Sequence, residues 1–466
     1  MASMSNHEGS SKKMRKILKK VDRISSLPDS LLVHILSFLP TIDAVGTSIL
    51  SSRWKHLWAC VPTLDFDVNL PFGEPYSDMN FVDRVLFNHE LSCIQKFRLN
   101  CIEENDLSRV YTWISVAINR GVQELEIVIN QGEWDFRCPL SLFTCPTLVV
   151  LKLGFLVSLS TVPRSVHFKS LKVLHVSFNF PDNGLMQNLF WNCPVLEDLL
   201  IEGLVHSYDE LSFDLSTRAP LKRCKLDLGS NQVDATSKYI SNEIVINSPG
   251  LECLTLHEDY LPCYVLENLT SLVKADVDVG HCCIKTKSTE QHADRVLVLL
   301  RKLCSVKYLS LGARTMGALD YAVDNKLLLF TNLIRLELVV HNCYGWKRLL
   351  HLLNSMPNLV RLVLDKFKNC EDNASEDFNF VEQEVVPCCL LMHLQEIGFN
   401  FFQGLSDELK LTEYFLRNAK VLHTMKIYTF DLEEKQEREF HEKVLMFPRG
   451  SITCQVLFDK ILEQPR

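Results

Sequence analysis

The sequence predicts an α/β fold: a small N-terminal three-helix module, then an irregular solenoid of strand-bearing repeats, closed by a C-terminal cap. Three observations predict it. A compact helical pattern fills residues 22–67. An apolar triplet of fixed internal spacing then recurs 13 times between Ile94 and Ile427. Prolines stand two residues before several triplets, where they break whatever element precedes.

The helical module comes first in the chain. Pro28 can open a helix at its first position, where a missing N–H costs nothing. Leu31, Leu32, Ile35, Leu36 and Leu39 follow as a broad helical stripe, which Pro40 ends. Thr41 can cap a second helix carrying Ala44, Val45, Ile49 and Leu50. Ser51 or Ser52 can cap a third, with Trp54, Leu57 and Trp58 on one side. Three short helices bury little by themselves, because small domains hide a low fraction of their surface. Part of the stripe is therefore expected to face a neighbouring domain or a partner.

The repeat is an apolar anchor, an apolar residue three later, and another two after that. It begins with Ile94-Phe97-Leu99 and Val122-Leu125-Ile127, runs through Leu196-Leu199-Ile201 and Leu251-Leu254-Leu256, and closes with Leu394-Ile397-Phe399 and Leu422-Met425-Ile427. Anchors lie 21 to 35 residues apart, mostly in or near the range of leucine-rich repeats. Pro146, Pro194, Pro249 and Pro357 precede four of them. Each unit is a strand plus a return segment that cannot bury its apolar face alone, so neighbours stack into a parallel sheet over a continuous core. The uneven spacing predicts an uneven leucine-rich-repeat solenoid over 90–368. Residues 68–89 read as a linker. The stretch 369–385 reads as an acidic loop, since Glu371–Glu384 holds six acids and no Lys or Arg.

Composition narrows the function. Apolar residues are 47% and charged residues 23% of 466, an ordinary soluble composition able to bury a large core. The net charge is −8, and Lys12, Lys13, Arg15, Lys16, Lys19 and Lys20 gather in the tail 1–21, leaving a body more acidic still. That argues against a general nucleic-acid binder, whose affinity comes from neutralising phosphates. The basic run fits either a nuclear import signal or a solubilising tail. The longest weakly charged stretch, Cys138–Pro163, carries three prolines and Lys152, so no membrane span is expected. The 17 cysteines include no C-x-x-C pair, and the N-terminus lacks an apolar leader segment. These features predict a reducing compartment, cytoplasmic or nuclear, with most cysteines acting as small buried hydrophobes.

Catalytic signatures are missing. There is no G-x-x-x-x-G-K-[ST], H-E-x-x-H or G-x-S-x-G. His281, Cys282, Cys283 and His292 lie close together, but at a spacing that fits no structural zinc pattern. No cofactor or metal is expected, and no enzymatic role.

The residues from Asp22 to Pro40 resemble the F-box. The likeness continues through Thr41 to Val45, Leu50 to Lys55, Leu57-Trp58 and Leu64 to Asp67. The rest is similar to the plant F-box/leucine-rich-repeat/FBD family, through Phe81 to Leu86, Leu142 to Leu153, Cys193 to Leu199, Val386-Pro387-Cys388, Glu413 to Leu416 and Asn418-Ala419. Departures are Ile42, Gly46 and Ser52, where a charged residue, Ala and a basic residue are usual.

The resemblance implies an F-box at 22–67 and an FBD-like C-terminal module at 386–466. It also implies the substrate-recognition subunit of an SCF-type cullin–RING E3 ubiquitin ligase. The F-box docks a Skp-type adaptor, and through it cullin and RING subunits, while the repeats hold an unknown protein target. The implied adaptor-binding residues are Leu27, Pro28, Leu31, Leu32, Ile35, Leu36, Leu39, Pro40, Val45, Leu50 and Trp54, of which about half are expected to pack inside the module instead. Such a subunit works by proximity, raising the local concentration of a target lysine. Two other roles fit the same solenoid: a ligand-regulated receptor, and an interaction scaffold outside ubiquitination.

Overall fold

The computed structural model describes residue 24 and residues 26–460, apart from 69–74, 102–105, 130–135, 155–156, 159–165, 180–182, 206–211, 217–218, 231–242, 260–262, 281–289, 323–328, 342–347, 368–384 and 430–432. The basic tail, the acidic stretch 371–384 and the trio His281, Cys282 and Cys283 lie outside the described residues.

One parallel sheet of 15 strands runs through the molecule in strict chain order. Its strands are β1 (Thr63–Asp67), β2 (Lys96–Cys101), β3 (Glu124–Ile129), β4 (Val150–Gly154), β5 (Val173–Asn179), β6 (Asp198–Val205), β7 (Arg223–Ser230) and β8 (Cys253–Glu258). It continues with β9 (Lys274–Val279), β10 (Tyr308–Leu311), β11 (Arg335–His341), β12 (Arg361–Phe367), β13 (Glu396–Phe402), β14 (Thr424–Thr429) and β15 (Gln455–Lys460). Strand residues alternate faces, so the second and third positions of each triplet share a side. The register stacks them into two columns: Phe97, Leu125, Leu151 and Leu174 continue one, and Leu99, Ile127, Leu153 and Val176 the other. Both columns are sealed, as are the anchors. The prolines before the anchors sit in tight turns. Leu196, Leu251 and Leu359 each donate an N–H to the carbonyl of Cys193, Ser248 and Met356 respectively, leaving Pro in the second turn position that its fixed φ suits.

The return segments differ along the array. The first returns hold helices α3 (Pro75–Asn88) and α4 (Leu107–Asn119), the latter capped by the Asp106 carboxylate, which accepts the Ser108 N–H at 2.9 Å. Midway the returns include short strands: Phe136–Arg137 pairs Val157–Ser158, and Glu243–Asn247 pairs both Phe213–Asp214 and Cys263–Glu267. Toward the C-terminus helices return, among them one at Glu290–Lys302 and another at Ser406–Asn418. Trp113, Ile114 and Phe415 from these helices join the strand columns in one continuous core.

Several expectations need correction. Residues 68–89, expected as a linker, carry α3, whose Met79, Val82, Val85 and Leu86 are buried in that core at helical spacing. The C-terminal module, as its two triplets predict, carries strands that extend the sheet: β12 pairs β13 in register from Arg361↔Glu396, and β14 and β15 continue it. The array also has a strand before the first triplet and one after the last, β1 and β15.

The helical module contains two α-helices, Asp29–Leu36 and Thr41–Gly46, and two 3₁₀ segments, Thr47–Ile49 and Trp54–Cys60. The expected third helix is thus 3₁₀, whose three-residue turn puts Trp54 and Leu57 on one buried side. Pro28 and Pro40 are N-caps one residue ahead of their helices. Thr41 caps nothing: its buried hydroxyl accepts the Asp65 N–H at 2.7 Å and ties the module to β1. The module has its own small core of Leu32, Leu36, Ala44, Trp54, Leu57 and Val61, while Val45 and Trp58 pack against the main core.

Candidate functional site

The module presents an apolar face to solvent. On the first helix, Leu32 and Leu36 are 0% and 1% exposed, whereas Leu31 and Ile35 are 48% and 43% exposed. A 100° step per residue turns each neighbour onto the next face, so two stripes of equal hydrophobicity divide between core and solvent. The exposed stripe continues through Leu39 and Leu50. Of the eleven residues the resemblance implies, Leu32, Leu36 and Trp54 are buried in the module and are removed from the contact list. Leu27 and Val45 are half-buried, and Pro28, Leu31, Ile35, Leu39, Pro40 and Leu50 are exposed.

The structure adds Ile24, Phe38, Ile42 and Ile49, with Phe38 75% and Ile49 87% exposed. Phe38 had a signal in the sequence: it lies three residues after Ile35 and seven after Leu31, on the same helical stripe. Ile42, a departure from the F-box pattern, extends the apolar face rather than interrupting it. The face rests on a rigid base, because the Arg53 guanidinium bonds the Asp29 carboxylate at 2.6 Å and also the Leu27 carbonyl, pinning the start of the first helix.

The second surface is the open face of the sheet, opposite the sealed columns. Its first half is a self-paired lattice of charge. Arg98 lies 3.3 Å from Asp65 and 3.2 Å from Glu126, and Lys152 lies 3.9 Å from Glu126. Asp198 takes Arg223 at 2.9 Å. Lys225 reaches Asp227 at 3.0 Å and Glu202 at 3.4 Å. His257 stands between Asp227 at 3.8 Å and Asp276 at 3.4 Å. Hydrogen bonds that the imidazolium donates to those two carboxylates raise His257 to about 9, and the one to Asp227 helps bring that carboxylate down to about 2. Beyond β9 the face opens into two depressions. One of about 170 Å³ is lined by Lys274, Tyr308, Arg335 and Glu337; the next, about 290 Å³, by Arg335, Arg361, Asp365, Gly398, Lys426 and Tyr428.

Among the described residues, other candidate chemistry gathers no site. His292 is buried in the helix Glu290–Lys302. Among the described residues no group of three or more His, Cys, Asp or Glu side chains is placed to hold a metal. The described cysteines are free thiols; burial raises Cys101, Cys138, Cys193, Cys224 and Cys389 to about 12, as befits packing residues. Among the described residues no helix is long and apolar enough to cross a membrane.

The structure thus joins a helical knob with an exposed aliphatic face to a parallel sheet of leucine-rich strands. Comparison with known families agrees with that architecture. The F-box domain matches residues 24–64, the LRR repeats of FBD-associated F-box protein At5g56370 match 110–276, and FBD matches 382–427. F-box/FBD/LRR-repeat protein At5g22660 of Arabidopsis thaliana is 32% identical over 443 residues, covering 93% of this chain and 96% of its own. F-box/FBD/LRR-repeat protein At1g78750 of the same plant is 32% identical over 460 residues, covering 94% and 96%. The chain belongs to the plant F-box/FBD/LRR-repeat family.

Proposed function

We propose that this chain is the substrate-recognition subunit of an SCF-type cullin–RING E3 ubiquitin ligase. The F-box docks a Skp-type adaptor, which carries the cullin and RING subunits, and the repeats hold a target protein. The observation that supports this reading most is the knob's solvent-facing aliphatic stripe on a module that already has a core of its own. Leu31, Ile35, Phe38, Leu39, Ile42, Ile49 and Leu50 are the docking set. Burying four or five such side chains contributes roughly 1.5–3 kcal/mol each, against an association cost of about 4–15 kcal/mol, which permits a specific complex. The chain itself supplies no chemistry in this reading; it holds the target near the charged E2. The FBD-like segment supplies the last strands of the target-holding array and ends it.

The test is co-purification with a Skp-type adaptor. Leu31→Asp together with Ile35→Asp places two charges on the exposed stripe without touching the module's core, so the variant stays folded and loses the adaptor. Adaptor retained at wild-type level by the folded double variant would refute the docking assignment.

A further inference from the structure

We infer that the open face of the sheet between β9 and β14 is a trough for an extended acidic segment of the target, seated by Lys274 at one end and Lys426 at the other. The inference rests on the reading of the repeats as the target-holding part and adds the chemistry of what they hold.

The first observation is charge left unpaired. In the first half of the open face Arg98, Lys152, Arg223, Lys225 and His257 each lie within 4 Å of a carboxylate, and within the trough Arg335 pairs with Glu337 and Arg361 with Glu396 at 3.3 Å. Lys274 and Lys426 line the two depressions, and among the described residues neither has a carboxylate within that distance. In a chain of net charge −8, two cations with no carboxylate in contact, Lys274 acting on Asp276 only from farther off, suit an acidic partner on this face.

The second observation is Gly398, on the floor of the larger depression and mid-strand in β13. Glycine there costs about 0.5–1 kcal/mol relative to Ala. The backbone does not require it, because its φ lies outside the left-handed region. Packing does not require it either: a Cβ would meet only the Val363 side chain, at an ordinary 3.8 Å. Strand glycines mark a bulge or a close approach; the irregularity of β13 lies just beyond, between Phe399 and Phe402, while Gly398 itself keeps regular pairing with Val363 and Lys426 and leaves the floor open to a close approach from outside.

The third is dimension. Five strand intervals separate β9 from β14, about 24 Å at about 4.8 Å each, which an extended chain crosses in about seven residues. The two depressions share Arg335 and Glu337, so they form one continuous path.

The experiment selects a phage-displayed library of random peptides against the full chain. The expected result is enrichment of peptides with two acids about five to seven positions apart. Lys274→Glu with Lys426→Glu is expected to weaken the selected peptides by at least about tenfold, and added salt to weaken them further. Gly398→Leu, which fills the floor, blocks them, while Gly398→Ala keeps the fold by circular dichroism. Enriched peptides without acidic bias, no enrichment at all, or binding indifferent to the lysine pair would each overturn the inference. So would peptides that bind only after deletion of residues 371–384, which would give the trough to the chain's own acidic stretch. Adaptor co-purification is measured on the same preparations. Adaptor retained with acidic selection absent sinks the trough alone; acidic selection without adaptor sinks the ligase reading alone.

Discussion

The knob and the repeat body are built from the same aliphatic residues and spend them in opposite ways. In the body, leucines stack from strand to strand until almost none of their surface is left, as with Leu125, Leu336 and Leu362, all 0% exposed. In the knob, half the aliphatic stripe seals a core of six residues and half stays in solvent. Sheet geometry explains the body: every strand from β2 to β14 lies between two parallel neighbours of similar pattern, so its inward side chains have partners within the same chain. A module of this size has no such supply of neighbours, and its second stripe stays in solvent. Hydrophobicity in this chain therefore stabilises the body and is available for recognition at the knob.

The largest expected effect tests that contrast directly. Leu336→Ala empties a sealed position and is expected to cost about 2–5 kcal/mol. Leu31→Ala, on the solvent stripe, is expected to change stability by no more than about 0.5 kcal/mol while weakening adaptor capture. Urea unfolding of both variants checks the first half and pull-down the second. Equal loss of stability in the two would mean that the knob's stripe is structural, and the contrast would fail.

How much of this was legible beforehand follows the same divide. The sheet columns were readable because a strand fixes a spacing of two between like-facing residues, and the triplets kept it through 13 units. Strands β1 and β15 escaped for definite reasons. Leu64 and Phe66 were absorbed into the helical module, and the last strand lacks an apolar anchor, since Thr453 stands three residues before Val456. Helix α3 escaped because residues 68–89 open with loop-like Pro71, Gly73 and Pro75, which mask the helical spacing from Met79 to Leu86. In the knob the stripe was legible but its halves were not. Leu31 and Leu32 are neighbours of one type, and only the placement of Trp54 and Leu57 decides which of them turns inward. The open-face lattice and the trough were hidden for another reason: Arg98 meets Asp65, and Lys426 comes near Gly398, only once the register brings together residues about 30 apart in the chain.

The open face supplies the next test, of intermediate size. His257 is raised from 6.5 to about 9 by its bonds to Asp227 and Asp276. A raised histidine contributes stability that is fully present below about pH 6.5 and is lost as pH rises through about 9. Asp227, down at about 2, stays charged across that window and adds no slope of its own. Thermal unfolding of the wild type is therefore expected to fall between those two pH values more steeply than that of His257→Asn. Parallel profiles would show that this part of the face does not hold itself together by charge, and would weaken the distinction drawn between the paired half and the trough.

The smallest effect sharpens the knob's boundary. Gly46 is the last residue of the second helix, with φ −57° and ψ −30°, a backbone any residue adopts. A Cβ there meets nothing within 4 Å. Ala lowers the entropy of the unfolded chain at no steric cost, so Gly46→Ala is expected to stabilise the knob by about 0.5–1 kcal/mol. Amide exchange should slow most in the two knob helices and little in the strands beyond β1, because the knob keeps a core of its own and joins the body at its edge, through Val45, Trp58 and the Thr41–Asp65 bond. Adaptor capture should hold or improve, since the docking set runs along Leu31, Ile35, Phe38 and Ile42 and gains a firmer base. A stabilised knob that captures less adaptor would place Gly46 inside the contact. The partner would then wrap past Ile42 onto the end of the second helix, and the glycine that departs from the F-box pattern would be an opening for the adaptor rather than a local weakness.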